Sequence, residues 1–295
     1  LVTCRVRDYQ HPQRKVPGFA EETLAPFNDE QIAQFVKAWY AELIATRRQP
    51  LGTPDQLIDS IRERPALAEL APQPLLLTMM AIIHAGKNTL AAARALLYDE
   101  CIRLLLLRWR KEPGQPDVLD ALKLPQFGAD DLMKMMAQLG FLAHDKQPAD
   151  ADDRRSEGAD LSREDVWQVL EQTFVRYVGR DEKRLHALIG TVLHGLAGRN
   201  GLLVKRNSEP EQYTFPHRTF QEFLAGDHIR RNAEYLKLAL DRAPLAHWQE
   251  VLVLMVGYQA RTGARLAAEL DLIRNLLARS PAEQVLAGER ASRLR

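Results

Sequence analysis

Few residues of this 295-residue chain are spaced for catalysis. No GxxxxGK followed by Ser or Thr, no GxGxxG, no HExxH, no GxSxG and no CxxC occurs in the sequence, so the motif-borne routes to phosphate, dinucleotide, zinc-protease, serine-hydrolase and dithiol chemistry are missing. The nearest fragment, Gly86-Lys87-Asn88-Thr89, lacks the preceding glycine and follows a helical pattern where a phosphate loop follows a strand. Cys4 and Cys101 stand far apart in no metal-ligand spacing. They suit a reducing compartment, and no metal site is expected. One residue does occupy a chemically useful position. His217 lies between the end of a strand pattern and the start of a helical one. An imidazole there can donate to an anionic oxygen, its charge is tunable near neutral pH, and the helix N-terminus beside it adds partial positive charge.

The elements that must position such a residue are mostly helical. Asn28 is placed to cap a helix whose apolar face is Ile32, Phe35, Val36, Trp39, Tyr40 and Leu43, with Asp29 and Glu30 in the positive first turn. Residues 55–71 read as a further short helix, and Pro74 opens another that runs to about Ala85, with proline where a helix tolerates it best. The segment Arg94 to Arg110 is apolar nearly all round, as a central bundle helix is. Residues 112–128, rich in proline and glycine, read as a linker. Three helices are then expected, at about 130–144, 161–177 and 182–198, the first two separated by a charged loop from Asp145 to Asp160.

At this point the periodicity changes from 3.6 to 2. Leu202 to Arg206 and Tyr213 to Phe215 flank a turn-like segment and predict a β-hairpin. Three helices followed by a hairpin is a winged-helix pattern. Thr219 and Glu222 form a T-x-x-E pattern, which predicts a capping box opening a helix to about Arg231. Helices near 233–241, 246–259 and 263–278 follow and could form repeat units.

Charge sets further bounds. Lysine plus arginine number 40 and aspartate plus glutamate 39, so no global field draws the chain to nucleic acid or anionic lipid. The longest apolar runs fall well short of the roughly 20 residues a membrane span needs. A soluble, cytoplasmic protein is expected, with no membrane partner. The chain opens without Met on the β-like run Leu1-Val2-Thr3-Cys4, and an amphipathic pattern lies close to its other end. A cut through a domain, with neighbours missing on both sides, is the expectation.

Several runs together resemble one family. Leu1-Val2-Thr3-Cys4-Arg5, Pro74-Leu75-Leu76-Leu77-Thr78-Met79-Met80, the pair Arg94 and Tyr98, and above all Phe215-Pro216-His217-Arg218-Thr219-Phe220-Gln221-Glu222-Phe223-Leu224-Ala225 are similar to the NACHT group of signal-transduction ATPases, in that group's order and at about its spacing. The resemblance covers roughly residues 1–230. It implies a mainly α chain: residues 1–27 as the tail of a P-loop α/β core with the sensor-arginine strand, 28–111 as a helical bundle, 112–235 as a winged-helix domain with a β-hairpin wing, and 236–295 as the start of a helical sensor or repeat region.

The resemblance also implies site roles. Arg5 would sense the terminal phosphate, with Arg7 close enough to be the alternative. Pro74 would pack on the adenine ring. His217 would touch the β-phosphate of bound ADP and hold the winged helix closed on the core. ATP or ADP would be the ligand, with magnesium supplied through a P-loop core outside this chain, so the chain alone would hydrolyse nothing. Implied partners are that core, further copies of the protein on activation, and an unidentified protein or nucleic-acid trigger, in a switch of the kind used in innate immune or anti-phage defence. Two other readings stay open on the residues alone. One is a winged-helix DNA-binding regulator, disfavoured because residues 182–198 carry Lys183 and Arg184 but mainly apolar packing positions. The other is a helical-repeat interaction scaffold.

Overall fold

Asn28 illustrates how local chemistry sets the elements. Its side chain accepts from the Gln31 amide at 2.9 Å, and Gln31 returns a bond to the Asn28 amide at 2.9 Å. This reciprocal cap starts α1 (Asp29–Ala45). The computed structural model describes residues 17–18, 20–107, 118–147, 160–199, 202–206, 210–215 and 217–262. They form two compact units, divided between Ala92 and Ala93.

In the first unit, α1 is followed by α2 (Pro54–Glu63), α3 (Pro65–Leu70) and α4 (Pro74–Lys87). The single helix expected over 55–71 is two, because Pro65 cannot continue α2 and instead opens α3. Asn88 in the left-handed conformation ends α4. Ile32, Val36, Leu57, Ile61, Leu67, Leu77, Met79 and Met80 fill the core. Within it the Tyr40 hydroxyl and His84 Nδ1 share a 2.7 Å hydrogen bond.

The second unit begins with α5 (Arg94–Leu107) and α6 (Val118–Leu122). Helix α5, which the sequence reading counts in the 28–111 bundle, packs in this unit, and α6 lies inside the stretch expected to be a linker. Then come α7 (Ala129–Asp145), β1 (Leu161–Ser162), α8 (Arg163–Val178), α9 (Glu182–His194), a π turn (Gly195–Arg199), β2 (Val204–Arg206) and β3 (Gln212–Thr214). The strands make one antiparallel sheet in the order β1-β3-β2, with Leu161 opposite Tyr213 and Lys205 opposite Tyr213 on its other edge. Three helices, a hairpin, and a short first strand closing on the hairpin's second strand make a winged-helix domain. Helix α9 turns Leu185, Leu188, Ile189 and Val192 into its core. The expected hairpin is present; its first strand starts at Val204, and β1 is an addition to it.

After the wing come α10 (Arg218–Arg231), α11 (Tyr235–Arg242), a 3₁₀ turn (Ala246–Trp248) and α12 (Gln249–Thr262). The helix expected over 263–278 lies outside the described residues. Helix α10 is central, packed by α7, α12 and α5. Two glycines permit that closeness. A Cβ on Gly140 would lie 2.5 Å from Leu224 Cβ, and one on Gly226 would lie 2.9 Å from the Val251 carbonyl oxygen. The described residues are mainly helical. No helix among them is long and apolar enough to cross a membrane.

Candidate functional site

His217 is the N-cap residue of α10, with extended backbone at φ −130° and ψ 120°. Its carbonyl accepts from the Phe220 amide at 3.1 Å and the Gln221 amide at 3.4 Å, and so starts the helix. The capping box expected from Thr219 and Glu222 does not form. The helix begins one residue before Thr219, and its N-terminus has no side-chain cap and no acidic residue in the first turn. Glu222 is drawn inward instead, accepting from Arg218 Nε at 2.9 Å, with both side chains buried to about nine-tenths. The positive end of α10 therefore keeps its partial charge where the His217 ring begins.

That ring is partly buried and lies edge-on to Phe220, with centroids 5.7 Å apart. Phe220 in turn is edge-on to Tyr98 at 6.2 Å. One turn earlier on α5, Arg94 Nη2 donates to Glu250 Oε1 at 2.5 Å, bringing the first turn of α12 to the same place. Two carboxylates and two guanidiniums thus gather behind His217. Burial pushes the Glu222 carboxyl up to about 7; Arg218 opposes the rise, Glu250 adds to it, and Arg94 opposes it. Burial likewise raises the Tyr98 phenol to about 12, against the pull of Arg94.

Farther along α10, the buried Asp227 accepts from Arg231 Nε at 2.7 Å and pairs with Arg230, while Arg231 also reaches Asp130 at 2.9 Å. The buried His144 of α7 accepts from Gln221 Nε2 at 3.2 Å through Nδ1 and donates from Nε2 to the His247 carbonyl at 2.9 Å. These bonds fix the helix that carries His217 to α7 and to the turn before α12.

Of the other residues expected at a nucleotide, Pro74 opens α4 in the first unit and is exposed, with the apolar side chains of its helix (Leu76, Leu77, Met79) buried beyond it. Its ring is thus not consumed by its own core. Arg5 lies outside the described residues. His217 belongs to the second unit, Pro74 to the first. Among the described residues no group of three or more His, Cys, Asp or Glu is placed to hold a metal.

Residues behind His217 escaped the sequence reading to different degrees. Arg94 and Tyr98 occur in the runs that carry the family resemblance, but their link to the His217 turn was not visible. Glu250 gave no signal at all: it meets Arg94 from 156 residues away. The sequence of residues 94–229 matches the family model described as the winged helix-turn-helix domain C-terminal to NACHT. No curated protein matches the chain.

Proposed function

Residues 94–229 are a winged-helix domain of the kind that lies C-terminal to NACHT, and from that premise we propose that the chain is the regulatory, nucleotide-sensing part of a NACHT-type ATPase switch. The observation that carries the reading is His217 at the uncapped, positive end of α10. An imidazole N–H beside helix amides suits a phosphate oxygen of ADP. His217 would then be a latch, holding the winged helix against a P-loop core that also binds the nucleotide. Exposed Pro74 would offer an apolar face to the adenine ring, and Arg5 a guanidinium to the terminal phosphate of ATP. Phosphate transfer and magnesium binding belong to the P-loop core, since this sequence contains no such loop.

On this reading ADP and ATP are distinguished by the contacts each makes in the closed and open forms, and that difference is what shifts the population between them. Opening would free the winged helix and let copies of the protein assemble in the cytoplasm. A protein or nucleic-acid trigger acting through the C-terminal helices would start the process, and immune or anti-phage defence is the setting that the family resemblance suggests.

The test is ADP dissociation from the protein that carries its P-loop core. A hydrogen bond to a charged phosphate contributes about 1.5–3 kcal/mol, so His217→Ala is expected to speed ADP release by roughly ten- to a hundredfold. Spontaneous assembly, followed by light scattering, should rise in parallel. Unchanged dissociation together with an unchanged oligomer distribution would reject the latch.

A further inference from the structure

We propose that the Arg94–Glu250 ion pair is a positioning clamp for His217, which makes nucleotide retention depend on where α12 sits. The inference rests on the latch reading and adds its regulation. Arg94 is the first residue of α5 and Glu250 lies in the first turn of α12, and their 2.5 Å bond joins the two helices. The side chains are only 22% and 24% exposed, so the pair is less screened than one on the surface.

From the clamp a series of packed rings leads to the imidazole. Tyr98 follows Arg94 by one helical turn on the same face. It meets Phe220 edge-on at 6.2 Å, and Phe220 meets His217 edge-on at 5.7 Å. Tyr98 and Phe220 are wholly buried, so neither can shift without its neighbours shifting.

Helix α12 also grips α10 directly. Tyr258 packs on Phe223 at 6.0 Å, and the Val251 carbonyl sits over Gly226. Because α12 touches α10 along its middle and is joined to α5 through Glu250, displacing α12 would pull on the clamp and disturb the turn that bears His217. Arg94 and Glu250 would therefore be positioning residues. Neither has to touch the nucleotide.

The test uses the protein with its P-loop core, loaded with a fluorescent ADP analogue, and follows dissociation. Release is expected to be about three- to tenfold faster in Glu250→Gln, equivalent to about 0.6–1.4 kcal/mol. Arg94→Lys, which keeps the charge but loses the planar fork, should act in the same direction with smaller size. In a His217→Ala background neither change should add anything, since the contact they position is gone. In the 295-residue chain alone, the His217 ring resonances should move in Glu250→Gln and in Arg94→Lys, a readout that needs no nucleotide. Additive effects of Glu250→Gln and His217→Ala, or unmoved His217 resonances in both variants, would overturn the clamp and leave the latch standing. Normal ADP release from His217→Ala would remove the latch itself. Should Glu250→Gln not fold, Arg94→Lys is judged by the same outcomes.

Discussion

His144 Nε2 lies 2.9 Å from the His247 carbonyl and its Nδ1 3.2 Å from Gln221 Nε2, so one ring nitrogen must donate while the other accepts. Only the neutral ring can do both. Burial holds its pKa down to about 3; the His247 carbonyl opposes this, while the His247 ring, Arg218 and Arg242 reinforce it. A histidine depressed on folding contributes stability that is complete above its ordinary value near 6.5 and is lost as pH falls below it. Burial lowers His84 and His228 as well, so their stability terms have the same sign. Glu222, raised to about 7, has the opposite sign: its term weakens as pH rises from about 4.5 to 7. We expect His144→Phe to flatten the acid side of the stability profile. At pH 7.5 it should cost about 2–4 kcal/mol, because Gln221 and the His247 carbonyl lose their partner. Urea unfolding at pH 7.5 and pH 5 checks both parts; equal losses at the two pH values would contradict a neutral His144 ring in the fold. Nothing near His144 in the sequence announces this role, since its partners come from positions 221 and 247.

At the scale of elements, α10 packs most extensively against α7 among the described helices, and Gly140 lets it approach closely. With Leu224 Cβ only 2.5 Å from where a new Cβ would lie, and the Gln221 carbonyl at 3.2 Å, Gly140→Ala must push the helices apart. Overpacking of this kind costs about 1–3 kcal/mol, against the small gain alanine brings inside a helix. The urea midpoint should fall accordingly, and an unchanged or raised midpoint would show that the interface yields freely. Most elements were legible in the sequence: the Asn28 cap, the apolar face of α1, proline at the head of α4 and the change of period at the wing. Others were not, for physical reasons. A two-residue strand such as β1 is too short to show alternation, and it becomes a strand only because Leu161 finds Tyr213. The Thr219–Glu222 spacing reads as a cap, but tertiary pairing with Arg218 draws Glu222 inward. Pro65, by contrast, was a visible break within the helix expected over 55–71.

For the molecule as a whole, the second unit does not end where the winged-helix match ends, at residue 229. Ala225 and Ile229 of α10 share one core with Ala239, Ala243, Trp248, Val251, Leu252, Met255 and Val256, and Phe141 and Leu236 close its edges. Arg242 seals one side, stacked over Phe141 and Trp248 and paired with Asp145 at 2.9 Å. Burying side chains of this size contributes about 1.5–3 kcal/mol each, so Trp248, Val251, Leu252 and Met255 together approach the stability of a whole domain. A chain ending at Arg231 is therefore expected to lose cooperative unfolding and to bind a hydrophobic dye, and the 295-residue chain is expected to do neither. Cooperative melting of the shortened chain would show that α11 and α12 are accessory. The sequence showed helices in this region but not their dependence on α10, because a shared core is a relation between distant residues and no local pattern records it.

The burial of α10 bears on how variants of this protein should be interpreted. From Phe220 to Asp227 every residue of the helix is buried, so it has no solvent face over two turns. A saturation screen would find that stretch intolerant whatever the protein binds. Intolerance there reports only that the helix must fit its surroundings. On the proposed latch reading, selection for the latch would instead leave its trace at a partly exposed position such as His217, where substitutions disturb the packing of the helix less and variants can be sorted by ADP retention.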